Sequence, residues 1–274
     1  MMKTTAPAVS SLSRFTSFSA PGTTGPGYRA EKILIATGAT EKALAFPGWD
    51  LPGVMGAGAA QTMVNLNRVL PGRRIIMVGS GNVGLVVGFQ LLQAGAHLAA
   101  VVEARSQISG YAGHTVLEAR GRDSVEEVTI GRVDERYRPI PGTERTIEAD
   151  TVCLAVGLTP SIELLRMANV GLTHLPPMGG YLPLHSGTLC TTNPDIYVAG
   201  DVAGIEEAST AMEEGRLAGT AIAAALGLLE EAEAGRQMEE IRRRAAQLRT
   251  GPHGEARGAA KAELERRCVQ WQNS

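Results

Sequence analysis

The stretch "RRIIMVGSGNVGLVVGFQLLQAGAHLAAVVEAR", residues 73–105, constrains the fold more than any other part of the chain. The apolar run Ile75-Ile76-Met77-Val78 leads directly into Gly79-Ser80-Gly81-Asn82-Val83-Gly84. Such a run fits a strand buried on both faces of a parallel sheet. The pattern predicts an apolar helix from Val83 to Ala94, closed by Gly95, and a second buried strand from Leu98 to Val102. Glu103 ends that strand, 19 residues after Gly84.

Each position has its own physical reason. Gly79 permits the tight turn, Gly81 lets a pyrophosphate approach the backbone, and Gly84 lets the helix pack closely on the strand. The helix start, with Asn82 and Val83, offers backbone N–H groups and a positive dipole end to phosphates. A carboxylate at Glu103 accepts hydrogen bonds from a ribose 2′-OH and repels a 2′-phosphate, which favours NAD over NADP. Arg105 pulls the other way, because an arginine there tolerates the phosphate. The competing reading is a turn that needs glycine only for packing. The order of strand, helix, strand and acid argues for a dinucleotide site.

Composition narrows the rest. The 274 residues allow one large or two ordinary domains, and 44% hydrophobic content supplies a core. A net charge of −2 gives no reason to expect nucleic acid or an anionic membrane as partner. Cys153, Cys190 and Cys268 form no CxxC, which argues against a disulfide framework, a zinc site and a redox dithiol, and fits a cytoplasmic protein. Cys153, inside "TVCLAVG", is expected in the core. No apolar run reaches membrane-spanning length. Residues 1–27 are rich in Ser, Thr and Pro, contain no acid, and are expected to form a disordered leader.

Further along, "AEKILIATGA" (30–39) reads as a strand ending in a glycine turn, and residues after Gly58 as a helix. "HTVLEARG", "SVEEVTIGRV" and "RTIEADTVCLAVG" read as strands, "SIELLRMANVGL" as a short helix, and 196–199 as an apolar strand. Residues 206–228 read as a helix. The charged tail from Glu230, broken at "TGPHG", reads as solvated or docking helix. Glu206/Glu207 and Glu213/Glu214 are expected as a solvated helix start and face. His97, His114 and His185 form no constellation, so neither a catalytic side chain nor a metal site is expected.

The order ATG, GxGxxG, "CLAVGLTPS" (153–161) and "TTNPDIYVAGDVAG" (191–204) resembles the FAD-dependent pyridine nucleotide-disulfide oxidoreductases, the two-dinucleotide-fold flavoproteins. "FPGWDLPGVMGAGAAQ" and "GDVAGIEEASTAMEEGRLAG" resemble the subgroup holding the flavin subunits of opine oxidase, hydrogen cyanide synthase, dye-linked proline dehydrogenase and sarcosine-oxidase-like enzymes. The resemblance covers roughly residues 28–250 and implies an α/β fold: a Rossmann-like NAD domain inserted in a partial FAD-binding domain, of three-layer ββα type. It implies residues 28–40 and 158–228 in the FAD part, 41–157 in the NAD domain, and 229–274 as a C-terminal tail. It assigns the visible turn to NAD, and adds Thr37, Gly38, Gly157, Gly200, Asp201, Glu207 and Ala208 as cofactor-binding candidates. Asp201 would bond the flavin's ribityl and pyrophosphate region, and the helix from Glu207 would point its N-terminus at the flavin.

Two departures bear on that reading. Members of the family open with another strand–GxGxxG–helix unit, which residues 1–30 do not show, and a helix-plus-strand piece after Glu103 is missing from the pattern. The chain therefore resembles a fragment or shortened relative. The expected function is hydride transfer between nicotinamide and flavin, in amine or imino-acid oxidation, with a small-molecule substrate or electron acceptor and a partner subunit or homo-oligomer. The alternative is a non-catalytic nucleotide-binding fragment or assembly partner.

Overall fold

The computed structural model of the chain describes residues 16–18, 28–105 and 110–273. They form two compact units, Glu41–Leu158 and a second built from Met1–Thr40 with Thr159–Ser274.

The Glu41–Leu158 unit is built on a five-stranded parallel sheet. Its order is Val54–Gly56, Thr151–Leu154, Arg74–Val78, His97–Glu103, Tyr111–Ala112. Successive side chains of a strand point to opposite faces, and here both faces are covered. On one, α1 (Ala57–Asn65) and α2 (Asn82–Gln93) set Ala57, Ala60, Val87 and Leu91 against Ile75, Met77 and Cys153. On the other, an antiparallel meander of His114–Arg120, Glu127–Arg132 and Arg145–Glu148 sets Val116, Val128 and Ile130 against Ile76, Val78, Val152 and Leu154. Burial on both faces explains why the strand Arg74–Val78 shows no polar alternation after its first residue.

After Glu103 the structure departs from the expectation in one respect. The third parallel strand is present as the two residues Tyr111–Ala112, paired with Val102 and Glu103. The described residues between 103 and 111 form no helix. In a doubly wound half, right-handed crossovers place that helix beside the preceding one on the same face of the sheet. Its place is beside α2, whose Leu85, Phe89 and Leu92 are exposed.

In the other unit, Ile33–Ile35 pairs in parallel with Ile196–Val198, far away in sequence. Around that pair pack Leu165 of α3 (Glu163–Met167), Val170 and Val202. An antiparallel hairpin, Leu172–Leu175 with Gly180–Pro183, adds a second small core. Three long helices complete the unit: α4 (Ala208–Ala225), α5 (Glu231–Leu248) and α6 (Pro252–Gln272). The charged tail docks rather than standing in solvent. Ile241 of α5 is buried with Leu189, Ala199, Leu217 and Ala218, and Leu264 and Cys268 of α6 with Leu175, Met178, Leu182 and Leu184. One piece of the expected leader is also ordered, since Thr16–Phe18 pairs antiparallel with Tyr28–Ala30. The remainder of residues 1–27 lies outside the described residues. No helix among the described residues is long and apolar enough to cross a membrane.

The sandwiching of the parallel sheet makes a stability prediction. Ile76 is fully buried between sheet and meander. Ile76→Ala should destabilise this unit by about 2–5 kcal/mol, seen as an earlier urea midpoint at unchanged slope. A loss below about 1 kcal/mol would mean that the meander does not cover the sheet.

Candidate functional site

The glycine turn separates its three roles by geometry. Gly79 has φ +97°, and a Cβ there would meet the carbonyl oxygen of Ala155 at 2.4 Å. At Gly84 a Cβ would meet the carbonyl oxygen of Gly79 at 2.1 Å, so the first turn of α2 rests directly on the strand's end. Gly81 is different. Its φ of −65° suits any residue, and a Cβ there would meet nothing within 4 Å. That open space is where a phosphate can approach the backbone. Asn82 and Val83 are the first two residues of α2, whose N-terminus has no side-chain cap.

The turn opens on a cleft of about 500 Å³ whose lining includes Gly79, Gly81, Glu103, Arg105, His114 and Gly157. This volume lies in the range of small-molecule and cofactor sites. Gly157, at φ +117°, accepts the N–H of Lys42 at 2.9 Å. His114 is tied by Nδ1 to the Ala112 carbonyl at 2.7 Å and packs edge-on to Tyr111, a structural placement.

Glu103 is held more firmly than its sequence position suggests. Its Oε2 accepts the N–H of Ser80 at 3.0 Å and the Ser80 hydroxyl at 2.7 Å, and its Oε1 accepts the Arg105 N–H at 3.0 Å. Burial pushes its carboxyl up. The bonds from Arg105 and Ser80, helped by the Arg105 charge, outweigh that and hold it below the ordinary carboxylate value. An ionised carboxylate has about four acceptor positions, so three protein donors leave room for a ribose hydroxyl. Ser80, the second residue of the turn, thus links the two ends of the site.

The remaining predicted residues lie in the other unit. Parallel pairing of Ile33–Ile35 with Ile196–Val198 brings Thr37–Gly38 and Gly200–Asp201 to the carboxyl ends of neighbouring strands, where ligands of open α/β sheets bind. Thr37 donates its hydroxyl to the Ser161 carbonyl at 2.8 Å, and Gly38, at φ +68°, accepts the Ser161 N–H at 3.0 Å. Gly200, at φ +77°, opens a 3-10 turn over Gly200–Ala203 that carries Asp201. Burial pushes the Asp201 carboxyl up. The N–H of Glu206 and the charge of Arg257 oppose the shift, while Glu214 and Glu206 add to it. Glu207 is the N-cap of α4 without a side-chain cap bond, and Ala208 is its first residue.

The expectation of solvated acids fails for Glu206, Glu213 and Glu214. Their side chains are buried, 5% exposed for Glu206 and 6% for Glu214. Glu206 takes both Arg249 branches, Nε at 2.8 Å and Nη2 at 2.9 Å. Glu214 takes Lys261 Nζ at 2.7 Å and Arg249 Nη2 at 3.1 Å, and its Oε2 accepts the N–H of Gly200 at 3.0 Å. Glu213 binds Arg244 at 3.0 Å, and also Arg216. Only Glu207 of the four remains solvated, paired with Arg257. The partners lie mostly on α5 and α6 or in their connection, too far along the chain for any local spacing to reveal them. Beside this cluster His185 is fully buried. Its Nδ1 meets the Ser186 carbonyl at 2.9 Å, and its Nε2 has no hydrogen-bond partner. Burial, then the Lys261 charge, pushes its imidazole down to about 3. No group of potential metal ligands occurs among the described residues.

Comparison with known proteins shows the family and the fold. The family described as pyridine nucleotide-disulphide oxidoreductase matches residues 9–215. Hydrogen cyanide synthase subunit HcnB of Pseudomonas aeruginosa is 32% identical, over 79% of this chain and 52% of that protein. An opine oxidase subunit from Agrobacterium tumefaciens is 30% identical, over 72% of this chain and 44% of that protein. The chain thus spans about half the length of the curated relatives it matches. L-proline dehydrogenase from P. horikoshii has the same fold, with a TM-score of 0.59 at 24% identity, covering 79% of this chain and 39% of that one.

These environments make two predictions. Gly81→Val should abolish NADH binding in calorimetry while the protein stays folded, whereas Gly84→Val should unfold the nucleotide unit, because its side chain meets backbone. Normal NADH binding by Gly81→Val would reduce the turn to a packing device. For His185, the unfolded chain takes up a proton near pH 6.5 that the folded protein refuses until about pH 3, so stability falls as pH falls through that window. His185→Gln should flatten this part of the pH–stability curve; an unchanged slope would show that the imidazole is not buried in its neutral form.

Proposed function

The chain belongs to the pyridine nucleotide-disulphide oxidoreductase family, whose members bind FAD and a nicotinamide dinucleotide, and from that premise we propose that it serves as the nucleotide-binding portion of a flavin subunit in an oxidoreductase. The Glu41–Leu158 unit is the nicotinamide domain in this proposal, and the other unit carries the residues that face the flavin. The observation that carries it is the Gly81 turn, which opens onto the cleft where Glu103 is held ionised.

Bound together, the two cofactors supply hydride transfer between nicotinamide and flavin. The chain's own residues bind and orient. The uncapped start of α2, at Asn82, Val83 and Gly84, offers N–H groups and a dipole end to the pyrophosphate. Glu103 accepts from the adenosine ribose and disfavours a 2′-phosphate. Gly157 forms part of the cleft lining. On the flavin side, the left-handed turns at Gly38 and Gly200 keep side chains away from the approaching ligand. Asp201 offers a carboxylate to the ribityl hydroxyls, and the start of α4 at Glu207 and Ala208 offers N–H groups. No side chain of the described site is assigned a proton-transfer role.

Amine or imino-acid oxidation is the substrate class we favour, because the relatives include an opine oxidase subunit and the fold is shared with an L-proline dehydrogenase. The two relatives named above are both subunits, which supports a partner chain in the working enzyme.

The test is dinucleotide selectivity. The unaltered chain should bind NADH more tightly than NADPH. Glu103→Gln keeps an acceptor for Ser80 but removes the charge, and should narrow the preference by roughly 10- to 150-fold, corresponding to a charge-assisted bond of about 1.5–3 kcal/mol. Calorimetric titration with both nucleotides decides the matter, and an unaltered chain that prefers NADPH overturns the assignment of Glu103.

A further inference from the structure

The turn Gly200–Ala203 is gripped at both ends by one buried charge cluster. At its start the Gly200 N–H is held by Glu214 Oε2 at 3.0 Å. At its end the Ala203 carbonyl is held by Lys261 Nζ at 2.8 Å. The same Lys261 ammonium binds Glu214 Oε1 at 2.7 Å and lies 3.9 Å from Glu206. Arg249 closes the ring by bonding both Glu206 and Glu214. Within this ring two carboxylates bond two cations, while Glu265 and Asp201 act on it from outside by charge. Lys261 is 6% exposed and touches both the turn and the residue that anchors it.

We infer that Lys261 and Arg249, contributed by the C-terminal helical segment, are positioning residues for the flavin loop. They fix Glu214, Glu214 fixes the Gly200 amide, and the fixed turn presents Asp201. The inference rests on the reading of Gly200–Asp201 as a flavin-contacting loop. It gives the charged tail a part in cofactor binding, although none of its side chains need touch the flavin. Charge balance is the essential condition: with Lys261 gone, Glu206 and Glu214 share a single cation, and Glu214 no longer has a fixed place from which to hold Gly200.

The experiment is amide hydrogen exchange on the flavin-free full chain, with flavin and NADH titrations of the same preparations. Lys261→Met should speed exchange at Gly200 by about tenfold or more and weaken flavin binding by about tenfold or more, with NADH affinity unchanged. The double variant Lys261→Met/Glu214→Gln restores neutrality and keeps an oxygen acceptor for Gly200, so it should recover most of the protection; a residue that served only as packing would show no such recovery. If Lys261→Met does not fold, Arg249→Lys, which keeps the charge but loses the fork spanning both carboxylates, should show the same effects to a smaller extent. Unchanged Gly200 exchange in a folded Lys261→Met, or no recovery in the double variant, overturns the inference. A chain that takes up no flavin at all counts against the flavin reading instead, while Gly200 exchange still reports on the link.

Discussion

The contact on which the nucleotide unit depends is the approach of α2 to the end of the strand Arg74–Val78. At Gly84 even one added carbon would lie 2.1 Å from the Gly79 carbonyl oxygen. That closeness places the start of α2, which has no side-chain cap, at the carboxyl end of a central strand of the sheet, beside the cleft that Gly79 and Gly81 line. It also brings Ser80 to Glu103, so the acid at the end of the next strand is tethered to the turn by two hydrogen bonds. The glycine turn and the Glu103 carboxylate are therefore one mechanical object. A change that lifts the helix displaces both.

In the second unit the surroundings of the Gly200–Ala203 turn are organised by charge. Carrying a carboxylate out of water costs several kcal/mol, and a buried ion pair rarely repays more than that. Apolar replacements of similar volume for buried ion pairs are often neutral or stabilising. What apolar side chains cannot do is accept the Gly200 N–H and donate to the Ala203 carbonyl at the same time. The polar interior is best understood through the geometry it imposes on a short turn, with little net stability attached. The unpartnered Nε2 of His185 fits such an interior, where position is set by charges and not by shape alone.

Much of this was legible in the sequence, and the reason is physical. Strands buried on both faces and a helix bounded by Gly81 and Gly95 carry their signal within a few adjacent residues, so the unit from Arg74 to Glu103 could be read directly. Glu103 could be located but not its restraint, because the bond to Ser80 depends on the turn's conformation. The strand Tyr111–Ala112 was missed because two residues carry no periodicity. Glu206 and Glu214 looked solvated because acids near a helix start commonly are. Their burial is decided by Arg249 and Lys261, whose nearness exists only after α5 and α6 have packed.

That distance along the chain also sets an order in time. Residues Glu41–Leu158 are contiguous, so on the ribosome every partner they need is present once Leu158 has emerged. The strand Ile33–Ile35 must wait for Ile196–Val198. The turn at Ala203 waits longer still, for a lysine 58 residues further on. At translation speeds of about 5–20 residues per second, that last interval is roughly 3–12 seconds. A nascent chain thus passes through a stage in which its nucleotide cleft can be complete while the acids around Gly200 have no counter-ions, and through that stage Glu206 and Glu214 have only water to solvate them.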